Sequence, residues 1–361
     1  MASSKDNGFN LNKRSAGAYM TDGDPFRFPC VEEWIRETVV PNVGDRVSLC
    51  EPYAGTCSLI RSFDDHFAGM FGSMDWSAYD INPPDTSDSL CPGIMVRHAN
   101  TLLDMPETYD LVVTNPPYLA RNSARRRGLD FPFGRRGIGI DKPADLYQFA
   151  LDTCLSHAKY VIALIPESFI TSRYDKSRLD RTLSLPGDMF SDTECPVCLA
   201  MFSEHGSGSD GGNALYGWDV PGDGLIGTYS DIERESERIL SGGTQDTVAS
   251  IRFNDPNGRL GLRGVDSSGT ARMAFVSGDT IDPSTVKQSS RSITRMSSDA
   301  LTGRDLDAII RRCNETLAEW RDATNDVFLT AFKGTRDDGR YRRRLSFAIA
   351  ARIVAGAIAA R

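Results

Sequence analysis

Between Arg46 and Phe202 the chain alternates short, almost wholly apolar runs with stretches of helical periodicity, and this alternation restricts the fold more than any other feature. RVSLC at Arg46–Cys50, SAYDI at Ser77–Ile81, IMV at Ile94–Val96, YDLVVT at Tyr109–Thr114, YVIALIP at Tyr160–Pro166 and VCLAMF at Val197–Phe202 read as strands. Cys57–Phe67 and Leu146–His157 read as helices. Strands that alternate with helices predict an α/β fold with a mostly parallel central sheet. The runs are apolar at successive positions rather than at every second one, as expected when helices cover both faces of the sheet.

The pattern changes after Phe202. Ser203–Gly224 is rich in Gly, Ser and Asp and reads as a linker. Ala249–Phe253 and Arg259–Arg263 flank Asn254-Asp255-Pro256-Asn257-Gly258, which predicts a hairpin, and Ala271–Val276 adds a strand. Helical periodicity returns near Ala300, and a last helix is expected from about Tyr341. The expected division is therefore an α/β domain over 1–204, a linker and small β-rich module over 205–299, and a helical segment over 300–361.

Composition removes several function classes. The net charge of −8 argues against a protein that coats polyanions through bulk charge. Leu345–Ala360 is apolar but is broken by Arg352 and is too short to span a bilayer. The first residues lack the apolar stretch of a secretory signal, and eight cysteines follow no framework spacing, so the expectation is reduced thiols in a cytoplasmic protein without a membrane partner. Cys195-x-x-Cys198 has no second ligand pair, and His66, His98, His157 and His205 are far apart, so no metal site is expected.

Asn115-Pro116-Pro117-Tyr118 directly follows the strand Tyr109–Thr114. A loop at the carboxyl end of a parallel strand is where open α/β sheets hold ligands. Two prolines stiffen it and remove backbone donors. The Asn115 side-chain oxygen and the neighbouring carbonyls then form a rigid acceptor set suited to an NH₂ group, and Tyr118 offers a flat ring for stacking. Glu51–Cys57 lies between the first strand and a helix, where a small-residue turn lets a ligand approach the helix N-terminus. Asp80 ends the next strand, the place of an acid that binds ribose hydroxyls.

Together these segments resemble the S-adenosylmethionine-dependent amino-methyltransferases that modify exocyclic amines in DNA, in the order with the cofactor region first and the target-recognition region last. Gly17–Thr21, Glu51–Cys57, Asp80, His98–Leu103, Asn115–Tyr118, Asp145–Phe149, Ile165–Phe169 and Phe190–Phe202 match the family's motifs in order, across roughly residues 17–202. The resemblance implies a Rossmann-like catalytic domain and S-adenosyl-L-methionine as cofactor. It implies cofactor contacts from Tyr19, Thr21, Glu51, Tyr53, Ala54, Gly55, Asp80, Ile81, Asn100 and Thr101. Three positions depart from the pattern: Cys57 replaces a Gly, Asn100 replaces an Asp, and Asp22 follows Thr21 where the family has Pro.

The implied reaction is direct methyl transfer to adenine N6 in a flipped-out base. Asn115 and Pro116 would hold the amine, Pro117 would stiffen the elbow, and Tyr118 and Phe190 would contact the base. The implied partners are double-stranded DNA and a cognate restriction endonuclease, unless the modification is solitary. N4 of cytosine, RNA, a protein glutamine and a non-catalytic binding subunit remain alternatives. Residues 121–142 hold seven basic and two acidic residues, and the glycines among them suggest a loop; Arg121, Arg125, Arg126 and Arg127 are the candidate phosphate contacts. Residues 333–361 hold eight basic and two acidic residues, and Tyr341–Arg344 reads equally as a DNA contact or as the flank of a packing helix.

Overall fold

The computed structural model describes residues 21–84, 93–102, 105–126, 128, 145–191, 193–287 and 290–360. The chain divides into two units. One comprises Met1–Pro166, Arg173–Thr193 and Val197–Ser209; the other comprises Glu167–Ser172, Glu194–Pro196 and Asp210–Arg361.

The first unit is built on strands β1 (Arg46–Glu51), β2 (Ser73–Asp80), β3 (Val96–His98), β4 (Tyr109–Thr114), β5 (Ala158–Pro166), β6 (Leu179–Ser184) and β7 (Val197–Phe202). Their order is β3-β2-β1-β4-β5-β7-β6. Neighbours from β3 to β5 are parallel, and β7 runs antiparallel to both β5 and β6. The strand order reverses between β1 and β4, so the loops leaving their carboxyl ends diverge and open a crevice. Helices α1 (Pro29–Trp34), α2 (Ser58–Phe67), α3 (Arg121–Arg126) and α4 (Leu146–His157) accompany the sheet. Leu59, Ile60, Phe63 and Phe67 form the buried stripe of α2, where Phe63 meets Phe26 and Trp76 edge-to-face at 5.5 and 5.7 Å. α4 is buried from Leu146 through Asp152, as a helix sunk in a core must be apolar on most sides.

The second unit opens with a hairpin of β8 (Ala214–Gly217) and β9 (Leu225–Thr228), followed by α5 (Tyr229–Leu240) and α6 (Gln245–Ser250). Strands β10 (Arg252–Phe253), β11 (Leu260–Arg263), β12 (Ala274–Ser277) and β13 (Ile293–Ser297) form an antiparallel sheet in the order β10-β13-β11-β12. α7 (Leu306–Thr324), a pair β14 (Thr330–Thr335) and β15 (Tyr341–Arg344), and α8 (Phe347–Ala359) complete it. Leu262, Phe275, Met296, Leu317, Trp320 and Val354 lie in one buried cluster, so sheet and helices share a core. No described helix is long and apolar enough to cross a membrane.

The α/β architecture, the mostly parallel sheet, the small antiparallel module and the C-terminal helices all match the sequence expectation. Several local readings do not. β6 was not foreseen, because LDRTLS alternates polar and apolar residues instead of running apolar. The presumed linker carries β8 and the turn into β9. Arg252–Phe253 and Leu260–Arg263 do not pair with each other, because β13 lies between them. A side chain at Gly258 would strike the Met296 backbone at 2.5 Å, which shows how closely the inserted strand passes the turn. The last helix starts at Phe347, not near Tyr341, because Tyr341–Arg344 pairs with β14 and Ser346 caps the helix by accepting from the Ile349 N–H.

Candidate functional site

The carboxyl ends of β1, β2 and β4 bring Glu51, Asp80 and Asn115 to the edge of the sheet where the strand order reverses. Thr114, the last residue of β4, donates its hydroxyl to Glu51 Oε1 at 3.0 Å, and the Tyr53 N–H donates to the same oxygen at 3.1 Å. These two bonds tie the turn after β1 to the root of the Asn-Pro-Pro-Tyr elbow. Asp80 stabilises the turn from the other side, accepting from the Gly55 N–H at 2.9 Å, and steadies its own loop by accepting from the Asn82 N–H at 2.7 Å. Cys57 sits at φ +58° where the turn enters α2. That left-handed conformation is the physical reason a glycine suits this position, and the buried thiol side chain occupies it at a cost of about 1–2 kcal/mol.

Glu51 is 1% exposed, and its Oε2 has no hydrogen-bond partner among the described residues. Burial pushes its carboxyl up to about 8; the bonds from Tyr53 and Thr114 pull the other way but do not compensate. Near neutral pH it is largely an uncharged acid with one unsatisfied end. A buried group of this kind costs stability unless a ligand completes it.

The elbow is held from three directions. The Asn115 Nδ2 donates to Thr21 Oγ1 at 3.0 Å. Its Oδ1 lies 2.6 Å from the Tyr118 hydroxyl, which also lies 2.5 Å from the Leu164 carbonyl oxygen. A phenol has one proton, so these two acceptors share it. The Tyr118 ring is buried and meets Tyr147 and Phe190 edge-to-face, with centroids 6.5 and 6.4 Å away. Beyond the elbow, Asp145 Oδ1 accepts from the Leu119 N–H at 2.8 Å, and burial pushes the Asp145 carboxyl up to about 6.

Other expected site residues spread along the same edge. Ala54 is buried and its N–H donates to the Tyr79 carbonyl at 2.8 Å. Ile81 is 42% exposed directly after Asp80, and Asn100 is exposed beyond β3. Thr101 is buried, and its hydroxyl is used on the Pro52 carbonyl at 2.6 Å. Pro116 is buried and Pro117 half-buried. Arg121 opens α3, where the basic segment was read as a loop, and Arg125 and Arg126 are exposed in its last turn. Tyr19 and Arg127 lie outside the described residues. Sequence reasoning missed the Leu164 carbonyl, Tyr147 and the Asp145–Leu119 bond as parts of the elbow's support. The Leu164 carbonyl carries no motif of its own; Asp145 and Tyr147 stood inside the matched segment Asp145–Phe149, which was the one available signal.

Two arginine-rich places lie outside this edge. The second unit has a cleft of about 1060 Å³ lined by Trp218, Arg272, Arg321, Arg336, Arg340 and several aspartates. Each of these arginines has a carboxylate partner, so the cleft has no surplus charge for a phosphate backbone. Within Tyr341–Arg344, Arg343 holds Glu167 through two bonds of 2.7 and 2.9 Å, and Arg342 donates to the Asp266 carbonyl at 2.8 Å. No group of three metal-ligating side chains occurs among the described residues.

No protein-family model matches the sequence, and no curated protein matches it. Among solved structures the chain is similar to a Listeria monocytogenes protein described as a class I S-adenosylmethionine-dependent methyltransferase, at 14% identity and a TM-score of 0.38. The match covers 53% of this chain and 64% of that one. The methyltransferase subunit of a type I restriction-modification system from Streptococcus thermophilus matches at 16% identity and a TM-score of 0.38, over 61% of this chain and 53% of that one. A modification subunit of a type I restriction enzyme from Vibrio vulnificus YJ016 matches at 14% identity and a TM-score of 0.37, over 57% and 48%. The chain thus spans about half to two thirds of the length of these proteins. Likenesses this distant do not assign an activity.

Proposed function

We propose that the chain transfers a methyl group from S-adenosyl-L-methionine to the exocyclic N6 of an adenine swung out of double-stranded DNA. The observation that carries this reading is the Asn115 carboxamide, held at the reversal point of the sheet beside an unsatisfied buried acid. The residues present fit the cofactor. Glu51 Oε2 is an orphaned buried oxygen, and a cationic ligand beside it would favour its ionised form. A Cβ placed on Gly55 would meet nothing within 4 Å, so the turn leaves open space at the start of α2. Asp80 keeps lone pairs beyond the two that hold the backbone, which suits ribose hydroxyls. Tyr19, Thr21, Tyr53, Ala54, Ile81, Asn100 and Thr101 complete the proposed surroundings by resemblance. The cofactor would supply an electrophilic methyl group on a sulfonium.

The chain's own work is orientation. An adenine amine has its lone pair delocalised into the ring. Acceptance of both N6 hydrogens, by Asn115 Oδ1 and the Pro116 carbonyl, draws the nitrogen toward a tetrahedral shape and aims its lone pair. Pro117 removes slack, while Tyr118 and Phe190 bound the base. Arg121, Arg125, Arg126 and Arg127 would grip phosphates around the extruded nucleotide. A restriction endonuclease recognising the same site is the proposed partner system.

The test is incubation of the full chain with methyl-labelled cofactor and genomic DNA, followed by nucleoside analysis. Labelled N6-methyladenine is expected. Label on cytosine N4, on RNA or on protein, or no label despite cofactor binding, would each replace this reading with a specific alternative.

A further inference from the structure

We propose that residues 21–23 form a positioning strap across the candidate transfer site, and that Thr21 acts on Asn115 rather than on the cofactor. This rests on the function proposed above and assigns a different role to one residue in it. Thr21 is 6% exposed, and its Oγ1 accepts the Asn115 Nδ2–H at 3.0 Å. The next residue turns to the opposite wall. Asp22 Oδ2 accepts from the Ser191 N–H at 2.9 Å, and the N–H groups of Asp22 and Gly23 both donate to the Met189 carbonyl, at 3.0 and 3.1 Å. A side chain on Gly23 would strike the Asp188 carbonyl at 2.7 Å, so only glycine lets the strap lie this close. Between Met189 and Ser191 stands Phe190, whose ring meets Tyr118 at 6.4 Å. Three consecutive residues therefore join the elbow to the loop that faces it.

The chemistry gives the strap a purpose. The two ends of a carboxamide have nearly the same shape and opposite hydrogen-bonding character. Turned over, Asn115 would present N–H donors to an amine that also presents donors, and the reaction would stall. Thr21 accepts the NH₂ end, and the Tyr118 phenol can donate to the oxygen end. As they stand, the two contacts hold the rotation that offers an acceptor to the substrate. Asp22 then sets the distance from that acceptor to Phe190.

The experiment compares the wild type with Thr21→Val, Thr21→Ser and Asp22→Ala, using the full chain, duplex DNA and S-adenosylhomocysteine as the binding probe. Thr21→Val is expected to lower kcat about tenfold, the weight of one neutral hydrogen bond. Its Kd for S-adenosylhomocysteine should stay within twofold, and Thr21→Ser should restore kcat. Asp22→Ala is expected to raise KM for DNA several-fold at unchanged Kd for the probe. A Kd that rises while kcat holds would make Thr21 a cofactor ligand and overturn the proposal; so would an unchanged kcat in Thr21→Val. A second readout needs no catalysis. In protein labelled with ¹⁵N-asparagine, the side-chain amide signal that disappears in Asn115→Ala identifies Asn115. Its exchange with solvent should be faster in Thr21→Val than in wild type. Equal rates would refute the Thr21 contact even if the wild type methylated nothing, whereas a slowed wild-type signal without methylation would fault only the functional reading.

Discussion

Two buried carboxylates, one in each unit, are treated in opposite ways. Asp266 in the second unit is fully buried and saturated: the Arg321 guanidinium meets both its oxygens at 3.1 Å, Arg336 lies 3.8 Å away, and the Met273 N–H donates at 2.9 Å. Glu51 in the first unit is as deeply buried and, among the described residues, has no cationic partner and no bond to Oε2. A side chain that only supports a fold is expected to be satisfied within the fold. One left incomplete at the carboxyl edge of a parallel sheet stands where open α/β folds hold ligands.

The largest effect should fall on the saturated acid. Asp266→Asn removes the buried charge that Arg321 and Arg336 share, although each keeps a second aspartate, and should cost about 3 kcal/mol, read as a lower urea midpoint. If stability barely moves, Asp266 is not the framework charge described above. Asn115→Ala should do the reverse, cutting kcat by about 10²–10³ with little change in melting temperature. Persistent methylation in that variant would remove the elbow from the mechanism.

Glu51 sharpens the contrast through pH. Its carboxyl is held up to about 8 by burial, so the folded chain binds a proton that the unfolded chain releases near pH 4.5. The associated stability is present below about pH 4.5 and is lost as pH rises through about 8, by a few kcal/mol at most. Asp145 contributes in the same direction only up to about 6. Urea titrations of wild type and Glu51→Gln should therefore diverge between about pH 6 and 8, with the variant flatter; parallel curves would mean the acid is not held neutral. A cationic ligand seated beside Glu51 should also release a proton, visible as calorimetric heats that depend on the buffer's ionisation enthalpy.

Arginines divide the same way. Arg125 and Arg126 are exposed in α3, whereas Arg321 and Arg336 are largely buried in ion pairs. Replacement of the exposed pair with Gln should lower the slope of log affinity for DNA against log salt by about 0.9 for each phosphate that is no longer neutralised. An unchanged slope would return them to the solvent. The smallest effect concerns Cys57. Cys57→Gly should be neutral to within about 1 kcal/mol, since relief at positive φ offsets the missing thiol packing. Cys57→Val should cost about 1–3 kcal/mol, because a β-branched residue tolerates that conformation poorly.

Much of the first unit is legible in the amino-acid order. β5 and β7 are apolar at nearly every position and β4 at most of them, and burial on both faces makes that pattern hard to confuse with another. The Asn115–Tyr118 elbow is legible because stiffness and hydrogen-bonding character are local properties of the residues themselves. The second unit is less so. Its sheet strands are two to five residues long, and a short strand's partner is chosen by the core it joins rather than by the nearest turn signal. Asn254–Gly258 thus looks like a hairpin turn, yet β13, some forty residues later, takes the place of the expected partner.

The sequence by itself determined the alternation of strand and helix, the rigid acceptor loop after β4 and the acids that end β1 and β2, since each depends on residues adjacent in the chain. Only the tertiary structure decided which buried acid would be neutralised and which left wanting. That outcome depends on whether an arginine from a distant segment arrives at hydrogen-bonding distance. Arg321 and Arg336 reach Asp266 across 55 and 70 positions, and no cation reaches Glu51 at all among the described residues. Charge pairing across such separations is set by packing, so the same side-chain chemistry became framework in one unit and a candidate site in the other.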